Sequence, residues 1–305
     1  MDKKLALVIL NYNDNKDLFE LLQLMEKQKS QYTVIIVDND SKQENKDQIV
    51  EWMQQKDSYY IAEKKVFYSN EFEKDKEFYL VLNDWDAGFS GGNNVGFRVA
   101  HLLGIKYALL ISPDVRVYEE DYLEKMITAI EHSPLAVVAG SNILDLDNQK
   151  QSPSKIISFK EELFWFHPAI SRTNRLLDYH CTTELTDATI HGCCMLFDVR
   201  FLDEIGYLDE GVFMYSEEPI LAARVKKAGK KILYVPEATA VHAHIRVKKI
   251  NASLRMQDFI KSRKYYIKTY SNYTELQKIL VYISYGVCAI AHKIKYQIDI
   301  RGTRK

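Results

Sequence analysis

Several polar residues stand where they can do chemistry. Glu217 and Glu218 are adjacent carboxylates at the head of a helical pattern, beside the apolar Val212, Phe213, Met214 and Tyr215. A carboxyl group in such surroundings holds its proton more tightly than usual and suits a general base, although an acidic pair also complements the positive end of a helix. Asp38 and Asp114 each follow an apolar run, Asp114 within Ser112-Pro113-Asp114-Val115. An Asp in that place accepts hydrogen bonds from a nucleotide base or ribose, or simply forms a turn. Asp114 is also placed to hold a hard divalent cation that neutralises a diphosphate. His242 and His244, two apart on an extended pattern, point the same way, and either offers a neutral nitrogen to a metal.

The elements that position these groups are legible as periodicities. Ser216 suits a helix N-cap, Pro219 falls in the first turn, and Gly229 stops the helix. Ile220, Leu221, Val225 and Ala228 give that helix one buried face and leave Arg224, Lys226 and Lys227 outside. Leu5 to Leu10 and Val34 to Val37 are apolar runs of the kind found in buried parallel strands. Between them, Leu18, Leu21, Leu22 and Met25 mark a helix over Asp17 to Gln28, so the first forty residues read as a βαβ unit. Ligands of such sheets bind beyond the carboxyl ends of the strands, here Asn11-Tyr12-Asn13 and Asp38-Asn39-Asp40-Ser41.

Further strands are expected at Phe78 to Leu82, Tyr107 to Ile111, Ala136 to Ala139 and Lys231 to Val235, with a helix over Asp121 to His132. The run from Gly88 to Gly96 has the wrong glycine spacing for a dinucleotide fingerprint, which argues against a nicotinamide enzyme. It is too glycine-rich and too polar for a plain connection, and the run after it, Val95 to Leu103, can form a helix whose first amides face a ligand. Asp145 to Glu184 is polar and irregular, and its aromatic cluster Phe164, Trp165 and Phe166 either shapes a substrate pocket or packs as a satellite core.

At 305 residues the chain can hold one large α/β domain and an appendage. The net charge of −1 is unevenly distributed: residues 245–305 carry 14 Lys and Arg against 3 Asp and Glu, and the preceding residues 27 against 39. A basic tail of +11 on a body of −12 points to an anionic partner surface, membrane lipid ahead of nucleic acid. The four cysteines form no disulfide framework, and no apolar signal opens the chain, which suits a reducing cytosol. His180-Cys181 with His191-x-Cys193 matches no common zinc spacing, and Cys193 and Cys194 suit small core residues.

Taken in order, VILNYN (Val8 to Asn13), VIIVDNDS (Val34 to Ser41), GFSGGNNVGF (Gly88 to Phe97), ISPDV (Ile111 to Val115), HGCCMLF (His191 to Phe197), the segment from Gly206 to Gly229 and VPEATAVHAH (Val235 to His244) resemble family 2 glycosyltransferases, nearest their bacterial rhamnosyltransferase-like branch. The likeness runs from residue 5 to about residue 245. It implies an α/β fold of the GT-A type, Rossmann-like with a mostly parallel central sheet and flanking helices. It also implies inverting transfer of one sugar, rhamnose or a hexose, from a dTDP- or UDP-linked donor to a lipid-linked saccharide. On this resemblance Asn11, Tyr12 and Asp38 bind base and ribose and Asn93 and Asn94 line the donor pocket, with Asn13, Asn39, Asp86 and Ser112 as further donor-side candidates. Asp114 and His242 would hold Mg²⁺ or Mn²⁺. Glu218 takes the place of the base, with Glu217 as its alternative. His191, Gly192, Cys193, Trp165 and Tyr215 are candidate acceptor contacts.

The chain departs from the family pattern at Ile220, where an Asp is usual, at Glu218, one methylene longer than the usual Asp, and at Asp86, where Asn is common. These departures leave open a second reading, a non-catalytic sugar-nucleotide- or glycan-binding protein of the same fold. A nucleotidyltransferase would need a basic Gly-rich loop where Asn11-Tyr12-Asn13-Asp14 stands. The processive QxxRW motif is absent, favouring a single addition.

The division implied is a catalytic domain over 1–245 and a helical, basic segment over 246–305 that associates with membrane or dimerises. Within it, the apolar run Ile279 to Ala291 is shorter than the roughly 20 residues a span requires. It suits an interfacial helix, a docking helix or a dimer contact. The cellular place this implies is cytoplasmic, peripheral on the inner face of the cell membrane.

Overall fold

Apolar runs rich in Val, Ile and Leu alternate with amphipathic segments through the first half of the chain, and each becomes a buried strand or a covering helix. The computed structural model describes residues 4–165, 175–243 and 252–302. In chain order the elements are β1 (Leu5–Asn11), α1 (Asn15–Met25), β2 (Thr33–Asp38), α2 (Gln43–Gln54), β3 (Tyr59–Glu63), α3 (Lys64–Tyr68), β4 (Phe78–Leu82), α4 (Gly88–Leu102), β5 (Tyr107–Ile111), β6 (Val115–Arg116) and α5 (Tyr122–Glu131). There follow β7 (Ala136–Leu144), β8 (Ser154–Lys155), α6 (Phe159–Leu163), β9 (Thr183–Leu185), β10 (Ala188–Thr189), β11 (Cys194–Asp198), α7 (Val199–Glu204), α8 (Glu217–Lys227), β12 (Lys231–His242), α9 (Ala252–Thr269) and α10 (Glu275–Gly302).

The main sheet runs in the order β3-β4-β2-β1-β5-β11-β7-β12-β6, with β9 paired to β12. From β3 to β5 every pairing is parallel, and β11 enters antiparallel between β5 and β7. The result is the expected mostly parallel α/β architecture, with one core on each face of the sheet. Asn11 pairs with Asp38 in the β1–β2 register, so both carboxyl-terminal side chains sit at one sheet edge. Asp114 joins that edge because β5 runs parallel to β1 and ends three residues before it.

The helix expected from Val95 starts seven residues earlier, so the glycine-rich run is itself helical. It is the first half of α4, which begins at Gly88. Its small residues let the helix lie on the sheet: a Cβ at Gly92 would stand 2.3 Å from Leu10 Cδ1, and one at Gly96 2.4 Å from Val8 Cγ1. Helix propensity is overridden here by the close approach that only glycine allows.

A third cluster joins Val212 and Ile220 to Ile260, Tyr266, Ile267, Val281 and Tyr285. The two C-terminal helices are thereby docked on the sheet-bearing body. Arg263 donates to both oxygens of the buried Glu162, at 2.9 and 2.5 Å, and the Tyr285 hydroxyl also donates to Glu162. Ser262 donates to the Met214 carbonyl at 2.6 Å, and Tyr265 and Tyr270 donate to Asp209. Helix α8 therefore buries two faces, Leu221, Ala222 and Val225 toward the sheet and Ile220 toward α9 and α10. Arg224 is not solvated as the periodicity suggests; it donates to the carbonyls of Ile205 and Tyr207 at the end of α7.

Candidate active site

The strand ends carry a set of buried hydrogen-bond acceptors. Asn11, Asp38, Asn39 and Asn83 are buried, and a chain of bonds fixes them. The Asn11 amide donates to Asn15 Oδ1 at 3.0 Å, Ser41 N donates to Asp38 Oδ1 at 3.0 Å, and Asn83 donates to Asn39 Oδ1 at 3.0 Å. Asn39 in turn donates to Asp86 Oδ1 at 2.6 Å. Among the described residues, Asn11 Oδ1, Asp38 Oδ2, Asn83 Oδ1 and Asn93 Oδ1 are left buried with no donor. Buried acceptors of this kind are costly unless a ligand supplies N–H or O–H groups, as a nucleobase and a ribose do. Tyr12 stands beside them with 53% of its surface exposed.

The other donor-side candidates serve structure in part. Asn13, at φ +56°, accepts from Lys42 N and from the Asn45 amide, tying β1's end to α2. Asn94 holds the Leu208 backbone in both directions and donates to Glu210 at 2.8 Å, and Asn93 donates to the Phe89 carbonyl. Ser112 N donates to the Cys193 carbonyl at 2.8 Å, which joins the Asp114 turn to the 191–193 loop.

At the metal side, His242 Nε2 lies 3.2 Å from Asp114 Oδ2, and its Nδ1 lies 3.1 Å from Gln151 Oε1. Burial, with the charges of Asp17 and Asp114 behind it, pushes Asp14 up to about 6. A carboxylate and an imidazole in contact, with a further acid crowded beside them, fit a divalent cation as donors and as a charge site. The His191 ring stacks edge-on against His242 at 4.9 Å, and the ligand atoms of His191, Cys193 and His242 all lie within 4.8 Å of one another. His191 and Cys193, candidate acceptor contacts by sequence, are thus placed beside the metal candidates. The His180 and Cys181 half of the zinc pattern is exposed, with His180 facing Asp178. His244 lies outside the described residues, as does Phe166.

Glu218 meets this cluster through one loop: Gly192 N donates to Glu218 Oε1 at 3.3 Å, while Cys193 N donates to His191 Nδ1 at 3.1 Å. Tyr215 and Ser216 both adopt the left-handed conformation, at φ +73° and +69°, which turns the chain sharply into α8. Ser216 occupies the N-cap position but makes no capping bond, because a left-handed backbone there does not aim Oγ at the first-turn amides. Glu217, partly exposed as a residue, has its Oε1 closed off from solvent without a donor. Burial and the neighbouring charge of Glu218 push it up to about 8. Its proton is therefore held more tightly than a free carboxyl's, while Glu218 takes the bond from Gly192.

Trp165 and Tyr215 both flank Phe259 of α9, at 5.5 and 5.9 Å between rings, and Trp165 also packs on Tyr285. Trp165 belongs to the seam with the C-terminal helices. Three site residues escaped the sequence reading: Asp14 and Asn83, whose signal was their place just after β1 and β4, and Gln151, in a segment without periodicity.

The profile of Glycosyl transferase family 2 matches residues 6–206. A hexosyltransferase of low-salt glycan biosynthesis from Haloferax volcanii, Agl10, is 24% identical over 243 residues, covering 78% of this chain and 66% of its own length. The chain thus spans just under two thirds of that relative. Among solved structures, GalNAc-T7 with UDP, GalNAc and Mn²⁺ has a TM-score of 0.60 at 12% identity, covering 90% of this chain and 53% of its own. A mannosyltransferase of Pyrobaculum calidifontis with GDP-Man and Mn²⁺ gives 0.55 at 12% identity, over 96% and 75%. S. aureus TarS residues 1-349 give 0.51 at 12% identity, over 92% and 70%.

Proposed function

The chain belongs to glycosyl transferase family 2, and from that premise we propose that it moves a single sugar from a nucleoside-diphosphate donor to a lipid-linked saccharide, inverting the anomeric centre, in the assembly of a cell-surface polysaccharide. The observation that carries this reading is the 191–193 loop, which bonds Glu218 at Gly192 and sets His191 and Cys193 against His242. It joins a candidate base to a candidate metal ligand.

Glu218 accepts the proton of the acceptor hydroxyl through Oε2, its Oε1 being held by the Gly192 amide. The acceptor oxygen forms the new bond to the anomeric carbon as the bond to the diphosphate breaks, and the nucleoside diphosphate leaves on the opposite face. Glu217, its carboxyl pushed up to about 8 by burial and the charge of Glu218, sits beside the base as a proton-holding neighbour. Asp114 and His242 are the residues to hold Mg²⁺ or Mn²⁺, which when bound stabilises the charge developing on the diphosphate. Asn11, Asp38 and Asn83 accept from base and ribose, and Tyr12 offers them an aromatic face. Rhamnose is the first sugar to test, with galactose and glucose next.

Ile220 is spent on packing against α9 and α10, so the acceptor must be positioned by other groups. The test is a thermal-shift screen with dTDP, UDP, GDP and their sugars, with and without Mn²⁺, followed by transfer assays on the ligands that shift. A metal-dependent shift with turnover supports the proposal. A shift without turnover on any acceptor favours the non-catalytic binder.

A further inference from the structure

Helix α10 has two faces of opposite exposure. On one, Val281 and Tyr285 are fully buried, Ser284 donates to the Leu163 carbonyl at 2.7 Å, and Tyr282 donates to the Lys264 carbonyl at 3.4 Å. The opposite face carries Leu276, Ile279, Leu280, Ile283, Val287 and Ile290, exposed by 68, 53, 40, 58, 62 and 63%. Among the side chains described on α10, every exposed one after Glu275 is aliphatic. At 100° per residue these six fall within an arc of about 100°, and they run about 21 Å along the helix. A helix docked on a soluble body ordinarily turns polar groups outward; a continuous exposed apolar stripe marks an interaction surface.

Charge identifies the occupant. Residues 245–305 carry 14 basic against 3 acidic side chains, and past the stripe come Lys293, Lys295, Arg301, Arg304 and Lys305 against Asp299 alone. Two copies meeting on this face would bring two such basic segments together. An anionic lipid surface complements both the aliphatic stripe and the basic residues that follow it in the sequence. Among the described residues, no helix is long and apolar enough to cross a membrane, so at a bilayer the stripe would lie in the interface and not span it.

We propose that the outward face of α10 docks on an anionic bilayer, with the helix in the plane of the headgroup boundary and its six aliphatic side chains inserted. The helix is not a loose tether. Glu162, Arg263 and Tyr285 lock it to the body, and Ser262 of α9 bonds the Met214 carbonyl three residues before Glu217. Docking therefore sets the height and tilt of the catalytic cleft above the lipid. The inference stands on the stripe and the charge and is independent of the sugar-transfer reading.

The experiment is flotation of the intact chain with phosphatidylcholine vesicles, with and without phosphatidylglycerol, alongside light scattering for mass. Wild type should float with the phosphatidylglycerol vesicles, less at high salt. The double substitution Ile283→Gln and Val287→Gln should lower the partition coefficient by tenfold or more, on the order expected when two aliphatic side chains no longer insert, without moving Tm or the nucleotide-induced thermal shift. Because both residues are exposed, the substitution leaves the buried packing of Val281 and Tyr285 in place, and an unchanged Tm checks this. Wild type that stays at the bottom with both vesicle types, or a variant that floats equally well, overturns the proposal. A vesicle-independent dimer that the double substitution turns into monomer also overturns it and gives the face to a second copy.

Discussion

Replacing Glu217 with Gln keeps the shape of the side chain and removes its proton equilibrium, which makes the burial of this group measurable as a pH-dependent stability. In the folded chain burial and Glu218 raise it from 4.5 to about 8. The sign follows from linkage: between those values the unfolded chain has released the proton and the folded chain still holds it, so wild type loses stability as pH rises. The full shift corresponds to an upper bound of about 5 kcal/mol, of which less than about 1 kcal/mol is expressed near pH 5. Water entry and relaxation of the acidic pair reduce this, and about 2 to 3 kcal/mol is a working figure at pH 8. The variant and wild type should therefore melt together near pH 5, with the variant several degrees higher near pH 8. Differential scanning fluorimetry across that range, reading the difference in Tm at each pH, is the assay. A difference that does not change with pH would refute the claim that Glu217 is held protonated by its surroundings.

Other perturbations test separate parts of the structure. Gly96→Ala places a Cβ 2.4 Å from Val8 Cγ1 and should cost about 1 to 3 kcal/mol in urea unfolding by forcing α4 off the sheet. Arg263→Met leaves the buried Glu162 charge without its partner and should destabilise by about 3 to 5 kcal/mol, whereas changing Glu162 and Arg263 together to apolar residues should recover much of that. Asp114→Ala should weaken nucleotide binding in the presence of Mn²⁺ and leave the metal-free binding unchanged; equal loss with and without metal in calorimetry would remove Asp114 from the cation site.

The half of the candidate site built on strand ends was legible in its placement because a strand announces its own end. An apolar run followed by Asn11, Asp38 or Asp114 fixes both the element and the edge at which the side chain emerges. What sequence alone did not show is long-range close approach. The glycines of α4 hide its first two turns because their reason for being glycine lies in Leu10 and Val8, on another element. Arg224 reads as a solvated helix residue because the carbonyls it holds belong to the end of α7. Trp165 stays open between a pocket aromatic and a packed one until α9 supplies Phe259 beside it. The 191–193 loop is the same kind of case: its residue types are visible, but their convergence on His242 and Glu218 follows from β11 lying between β5 and β7.

Glu218→Gln, with donor binding and sugar transfer measured on the same preparation, tests the central claim most directly. The variant keeps the side chain's shape and the oxygen that accepts from Gly192, so the nucleotide-induced thermal shift should be retained. Transfer should fall by about a hundred- to ten-thousand-fold, the ordinary contribution of a positioned base. Turnover close to wild type, with donor binding intact, would contradict the assignment of Glu218 as the group that takes the acceptor's proton.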